Sequence, residues 1–211
     1  MPGGVREGGG LGPPLFLETI KLQGGVYRLL DLHRRRMART WRAAFGEEPG
    51  FRLEDALPPP PDSGLYRARA CFPGPQGPPV VSLHPYSYPR PDTLRLVRDP
   101  GLDYRFKLLD RSALDSLRAS CGASDFILVR GGGLTDCSIA NLVFESREGL
   151  FTPEGCLLDG VKRESLLSRG IVRARRIGPG DLGLYRKVLL VNAMIELEDD
   201  VSVPMEGILP L

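Results

Sequence analysis

Histidine and cysteine are scarce in this sequence. Its 211 residues include two histidines and four cysteines, and the cysteines have no CxxC spacing. Zinc sites are usually built from such ligands at short, regular spacings. The composition therefore argues against a zinc site and favours reduced, mostly buried thiols, although four cysteines leave a disulfide open.

Long apolar runs and an excess of one charge are also missing. No stretch of 18 apolar residues occurs, and no basic segment is followed by an apolar leader. The 28 basic residues nearly balance the 26 acidic ones, which gives a formal net charge of +2. This balance indicates neither a nucleic-acid surface nor a polybasic membrane patch. We therefore expect a cytoplasmic protein with no membrane or nucleic-acid partner.

Changes in composition predict the domain organisation. Residues 1–14 are mostly Gly and Pro and have too few apolar side chains to offset the entropy of ordering, so we predict a flexible lead there. The proline-rich stretch 89–92 predicts an extended linker. We therefore expect a small α/β domain at 15–88 and a larger domain at 93–211.

Periodic patterns predict several elements of the first domain. Two strand-like runs flank Gly24-Gly25, which predicts a hairpin. Asp31 is expected to cap the helix that follows. Strict alternation over Gly64–Phe72 predicts a half-buried strand with Arg67 and Arg69 on one face. These two arginines could receive a substrate carboxylate, but a surface strand would show the same pattern.

Lys107 is the first candidate for chemistry. It follows Phe106 and precedes Leu108 and Leu109, so its amine is expected in a partly dry place. Desolvation disfavours the ammonium form and lowers the pKa, as a lysine needs in order to form a Schiff base with an aldehyde. The alternative is a surface lysine that lays its stem on a leucine and keeps its charge in water.

Gly160 marks a candidate anion site. It stands directly before a predicted helix that begins at Val161 and ends at Gly170. A small residue at this point lets a phosphate approach the free amides of the first turn, where the helix macrodipole also favours an anion.

The order of four segments resembles a known enzyme family. These segments are Phe16–Met37 (FLETIKLQGGVYRLLDLHRRRM), Tyr104–Leu114 (YRFKLLDRSAL), Gly132–Phe144 (GGLTDCSIANLVF), and Leu157–Leu167 (LLDGVKRESLL) with the trailing Val188–Asp199 (VLLVNAMIELED). Together they resemble the class IV aminotransferase-like, fold-type IV group of pyridoxal phosphate (PLP) enzymes. That group includes branched-chain and D-amino acid aminotransferases and 4-amino-4-deoxychorismate lyase. Its members usually open with a strand pair, which this chain is expected to lack in residues 1–14.

The resemblance implies a fold and a cofactor. The expected fold is α+β, with two small α/β domains and a PLP cleft between them, and residues 93–211 would form the PLP-binding domain. Lys107 would form a Schiff base with PLP and, once freed, remove a proton from the alpha carbon of an amino substrate. Arg36 matches the family pattern of His, two variable residues and Arg, whose arginine binds the cofactor phosphate.

The resemblance also assigns roles to five further residues. Asp136 stands where the family has a Glu that keeps the pyridine nitrogen of the cofactor protonated. It is one methylene shorter, and a turn aspartate that bonds its own backbone is the alternative. The amides of Val161 and Lys162 match a second phosphate contact, with Lys162 where aminotransferases commonly have Thr. Asn192 and Ala193 match a third phosphate contact.

Two reactions remain open within this resemblance. KLLDR and VNAM are more similar to the lyase branch, which implies a β-elimination that releases pyruvate and yields 4-aminobenzoate, a folate precursor. The alternatives are a branched-chain or D-amino acid aminotransferase, or a catalytically degenerate binding protein of the same fold. A homodimer that acts on a small amino substrate is implied in the enzyme cases. A nucleic-acid binder that uses the arginine-rich helix after Asp31 would instead show steeply salt-dependent affinity.

Overall fold

The computed structural model describes residues 15–61, 63–72, 74 and 77–211. The predicted flexible lead and the missing strand pair both fall on residues 1–14, outside this part of the chain. The helices described are α1 (Leu30–Phe45), α2 (Ser112–Ser120) and α3 (Val161–Ser168). The strands described are β1 (Phe16–Gln23), β2 (Val26–Tyr27), β3 (Leu65–Phe72), β4 (Val80–Pro85), β5 (Leu94–Val97), β6 (Asp125–Arg130), β7 (Gly133–Leu134), β8 (Asn141–Ser146), β9 (Gly149–Pro153), β10 (Arg173–Arg175), β11 (Lys187–Val191), β12 (Ser202–Pro204) and β13 (Ile208–Leu209).

The first sheet is antiparallel, in the order β2-β1-β3-β4. The predicted hairpin turn is confirmed at Gly24 and Gly25, whose φ angles of 56° and 75° suit glycine. Helix α1 packs on one face of the sheet around a core that includes Ile20 and Trp41. Because successive strand residues point to opposite faces, the alternation of β3 leaves Arg67 and Arg69 on the face away from α1.

The start of α1 differs from the prediction. Asp31 lies inside the first turn and pairs with Arg34, so it does not cap the helix. The residue before the helix is Leu29, which has a left-handed φ of 56° and gives no side-chain cap. Only Arg28 and Leu29 separate β2 from α1. The helix therefore begins one residue before Asp31, which then lies past the capping position.

The rest of the chain builds two further sheets. A mixed sheet has the order β13-β5-β6-β7, and a five-stranded sheet has the order β10-β9-β8-β11-β12. Their facing sides share one core that includes Ile127, Phe144 and Leu190. The sheets thus divide near the expected linker, but the limits 15–88, 89–92 and 93–211 stay a prediction.

Two findings concern the function classes discussed above. All four cysteines, Cys71, Cys121, Cys137 and Cys156, are free thiols. Among the residues described, no helix combines the length and the hydropathy that a bilayer span requires.

Candidate active site

A cleft of about 530 Å³ lies where the first sheet meets the rest of the chain. One side of the cleft is the face of β1 and β3 that does not contact α1. The other sides are the segment that contains Lys107, helix α2, the start of α3 and the turn after β11. Most of the residues predicted from the sequence line it, namely Arg36, Lys107, Asp136, Val161, Asn192 and Ala193. Lys162 does not line the cleft.

The main chain of Lys107 is held against β1. The amide of Leu17 donates to the Lys107 carbonyl at 2.9 Å, and the amide of Leu109 donates to the Leu15 carbonyl at 2.8 Å. The Tyr104 hydroxyl donates to the carbonyl of Leu108 at 2.8 Å. These bonds fix the segment as a short extension of the sheet, with the Lys107 side chain in the cleft.

The Lys107 amine has an unusual environment for a lysine. Burial lowers its pKa, the Arg36 charge lowers it further, and the Glu18 carboxylate opposes both, so that the pKa falls from 10.5 to about 7. A substantial fraction of the amine is therefore unprotonated at neutral pH. The alternative of a solvated surface lysine does not agree with this position.

Behind Lys107, a buried acidic residue joins β1 to α1. Glu18 accepts a hydrogen bond from Arg36 Nε at 2.9 Å, a second from Arg36 Nη2, and one from His33 Nδ1 at 2.6 Å. Burial alone would raise the pKa of Glu18, but the Arg36 charge and the bonds from His33 and Arg36 outweigh it and lower the pKa to about 2. Burial also lowers the pKa of His33, so its ring is neutral at pH 7.

Arg36 lines the cleft and does not use all of its donors within the protein. Its third bond runs from Nη1 to the carbonyl of Asp159 at 3.1 Å. A guanidinium has five N–H groups, and these contacts use three of them. Two N–H groups remain for an anion, while Glu18 fixes the orientation of the fork.

Asp136 is buried and already well oriented. Its Oδ1 accepts from Asn141 Nδ2 at 2.9 Å, and its Oδ2 accepts from the amides of Leu157 at 2.8 Å and Leu158 at 2.9 Å. Burial raises the pKa of Asp136 to about 6, although these hydrogen bonds act to lower it. The partners lie on β8 and on the loop before α3, so the alternative of a turn aspartate that bonds its own backbone is wrong. One acceptor position on Oδ1 is left for a further donor.

The first turn of α3 provides free amides beside Asp136. The intrahelical ladder begins with the Glu164 amide, which donates to the Gly160 carbonyl at 2.9 Å, so the preceding amides have no intrahelical acceptor. A side chain at Gly160 would place its Cβ 1.7 Å from Asn141 Oδ1. Glycine is therefore required here for the helix start to pack against the amide that supports Asp136.

The side chain of Lys162 forms an ion pair instead of lining the cleft. It is buried and donates from Nζ to Glu196. Lys21 of β1 lies 3.6 Å from the same carboxylate group and 3.7 Å from Asp199. Lys162 therefore links the start of α3 to the segment after β11 and, through Glu196, to β1. Its amide precedes the first intrahelical hydrogen bond, and a phosphate contact there stays a prediction.

The turn after β11 brings Ala193 to the cleft. Asn192 Oδ1 accepts from the amides of Met194 at 2.8 Å and Ile195 at 3.1 Å, and Nδ2 donates to the Ile139 carbonyl at 3.0 Å. The Asn192 side chain thus shapes the turn that presents Ala193.

The comparisons with known proteins concern the fold and the family of the chain. A Haemophilus influenzae protein described as uncharacterized is 32% identical over 188 residues, which is 86% of this chain and 97% of that protein. No family model matches the chain. A solved structure from Haemophilus somnus, provisionally named a 4-amino-4-deoxychorismate lyase, superposes with a TM-score of 0.80 at 27% identity and covers 88% of this chain and 98% of its own. The chain therefore has the fold of the fold-type IV enzymes, and it belongs to one family with the Haemophilus influenzae protein.

A second solved structure has a lower sequence identity and is therefore evidence for the fold only. It is a hypothetical aminotransferase from Mycobacterium tuberculosis in its PLP-bound form, with a TM-score of 0.69 at 17% identity over 86% of this chain and 78% of that one. The predicted fold class is therefore confirmed.

The sequence did not lead us to the buried cluster of Glu18, His33 and Arg36, called the Glu18 cluster below. In β1 the residues Phe16, Ile20 and Leu22 alternate inward, and Glu18 occupies an inward position of the same series. A carboxylate at an inward strand position needs a buried cation or donors. This break in the alternation was the signal that could have identified Glu18.

Proposed function

We propose that the chain is a PLP-dependent enzyme that acts on a small amino substrate, with Lys107 as the residue that attaches the cofactor. The observation that carries the proposal is that Lys107, with a pKa of about 7, lines the same cleft as the buried carboxylate of Asp136. When bound, PLP supplies an electron sink, because its protonated ring delocalises the electron pair left when a substrate carbon loses its proton.

The donor set of the cleft fits this cofactor. Two open N–H groups of Arg36 and the first-turn amides of Val161 and Lys162 suit a phosphate. The remaining acceptor position of Asp136 suits a ring N–H donor. Ala193 offers a further backbone contact at the turn after β11.

Each of these side chains has a role that follows from its surroundings. The Lys107 amine is available as a nucleophile near pH 7 and, once free, can accept the substrate proton at Nζ. Glu18 holds Arg36 in place and partly offsets its charge beside Lys107. Asp136 is fixed by three donors, so it costs little reorganisation when the cofactor binds.

Among the reactions of this fold, we propose a 4-amino-4-deoxychorismate lyase-like β-elimination that releases pyruvate. The similarity of the Haemophilus somnus structure over nearly its whole length favours this reaction. An aminotransferase acting on branched-chain or D-amino acids is the second candidate, as the resemblance of the four sequence segments implies. The orientation of Asp136 counts against a degenerate binding protein. The homodimer and the cytoplasmic location stay predictions.

The attachment of the cofactor can be tested by absorbance. Purified protein that is incubated with PLP and then separated from unbound PLP by gel filtration should retain a visible band that borohydride abolishes. Lys107→Ala and Lys107→Arg should both lose it, since neither alanine nor a guanidinium can act as the nucleophile. Lys187→Ala is the matched control, because Lys187 forms only partly exposed ion pairs away from the cleft. A full borohydride-sensitive band in Lys107→Ala would overturn the assignment.

The choice of reaction needs a product assay. Incubation with 4-amino-4-deoxychorismate and no keto acid should release pyruvate if the lyase proposal holds. Amino transfer that depends on an added keto acid, without release of pyruvate, would favour the aminotransferase.

A further inference from the structure

Cationic side chains outnumber carboxylates around the cleft. Among the described residues, two carboxylates line it, those of Asp115 and Asp136. The cationic side chains that line it are Arg36, Arg67, Arg69, Lys107, Arg111 and Arg118. The cleft is therefore suited to an anionic substrate, and the question is which cations are free to bind it.

Three of the arginines have polar partners of their own, and the two open N–H groups of Arg36 are those assigned above to the cofactor phosphate. Arg36 is paired with Glu18. Arg111 donates to the Ser138 carbonyl at 2.9 Å, and Arg118 donates to the Ser124 carbonyl at 3.0 Å.

Arg67 and Arg69 have no such partners in the described part of the chain. Neither forms an ion pair or a side-chain hydrogen bond with any residue in the described part of the chain, and Arg67 Nε is buried without a partner there. An unpaired, partly buried guanidinium is costly, so its presence at a cleft points to a ligand.

The register of the first sheet places these two arginines in a row. Arg69 lies opposite Thr19, and Arg67 lies opposite Lys21. Their Cα atoms are about 7 Å apart, since they are two residues apart on one strand. Leu17, whose amide holds the Lys107 carbonyl, precedes Thr19 by two residues on β1. Arg69 is therefore the nearer of the two to Lys107, and Arg67 lies one step farther along the sheet.

Two tyrosines form an aromatic wall of the cleft near Arg67. Tyr86 and Tyr88 line the cleft, and their ring centroids are 5.6 Å apart. Tyr86 follows β4 directly and its amide bonds the Leu65 carbonyl, which puts it at the Arg67 end of the sheet. Such a wall suits a flat, unsaturated carbon skeleton.

We propose that Arg67 and Arg69 select amino substrates that carry two carboxylates, with Arg69 binding the carboxylate nearer to Lys107 and Arg67 the farther one. This inference deepens the proposed function and rests on it. Two separate guanidinium groups call for two anionic groups, and each fork matches a carboxylate in a bidentate manner.

The inference can be tested with two probes that differ by one carboxylate. Isophthalate and benzoate are titrated into the PLP-loaded protein by calorimetry. The wild-type protein should bind isophthalate about tenfold or more tightly than benzoate, because a hydrogen bond to a charged group contributes about 1.5–3 kcal/mol. Arg67→Gln and Arg69→Gln should each abolish this preference, whereas Arg147→Gln, at an exposed arginine outside the cleft lining, should keep it.

The outcomes separate this inference from the proposed function. Each sample is scanned for the PLP band before titration, and its melting curve is recorded. A normal band with equal affinity for the two probes, or a preference that persists in both Gln variants, overturns the inference alone. A wild-type protein without the band overturns the proposed function and the inference with it. Should a Gln variant fail to fold, Arg67→Lys and Arg69→Lys keep the charge but lose the fork, and undiminished preference in both overturns the inference.

Discussion

Replacement of Glu18 by Gln is expected to destabilise the protein strongly at neutral pH. The pKa of Glu18 falls from 4.5 in the unfolded chain to about 2 in the folded protein. This difference corresponds to about 3 kcal/mol of stability, at about 1.36 kcal/mol per pKa unit. The loss of one partner of a buried ion pair costs about 3–5 kcal/mol, which agrees in size. For a chain of this length, the melting temperature should fall by about 6–12 °C.

The sign of the pH dependence gives a second, independent check. A carboxylate with a lowered pKa stabilises the fold above its unfolded pKa, and the contribution is lost as the pH falls through the folded pKa. The difference between wild type and Glu18→Gln should therefore be full at pH 7, begin to shrink below about pH 4.5, and fall to less than half near pH 3.

The assay is urea unfolding at several pH values, with Glu47→Gln as the control at an exposed carboxylate. A loss below about 1 kcal/mol at pH 7, or a difference that does not change between pH 7 and pH 3, would refute the reasoning about the Glu18 cluster.

Three further predictions follow from the site. The rate at which PLP attaches to Lys107 should rise with pH around a midpoint of about 7, measured by absorbance, and a midpoint near 10 would contradict the lowered pKa. Gly160→Ala should cost about 1–3 kcal/mol and weaken PLP binding, because the new Cβ meets Asn141. Gly180→Ala, where a Cβ meets nothing within 4 Å, should change neither. Lys162→Met should lower the free energy of unfolding by about 1.5–3 kcal/mol, since a charged hydrogen bond is lost, and an unchanged urea midpoint would contradict this.

Local patterns were sufficient for parts of the fold. The alternation of β3 predicted that Arg67 and Arg69 share one face of the strand, because that pattern depends only on the pleat of the strand. The Gly24-Gly25 turn was equally local, since two left-handed residues in a row strongly favour glycine.

Long-range contacts account for what the sequence did not predict. Glu18 finds its partners on α1, and the shared geometry becomes visible only when the helix lies on the sheet. Strand β10 is paired only at Arg173–Arg175, because its neighbour β9 ends at Pro153. The roles of Lys107, Asp136 and the amides of α3 depended on a family resemblance.

The two hydrogen bonds between β1 and the Lys107 segment make the cleft a joint product of both halves of the chain. A separately expressed fragment of residues 93–211 would contain Lys107, Asp136 and all of α3. It would lack Leu15 and Leu17, whose backbone groups hold the reactive lysine in place. Cofactor capture should then appear only after fragment complementation, when residues 1–92 are supplied in trans.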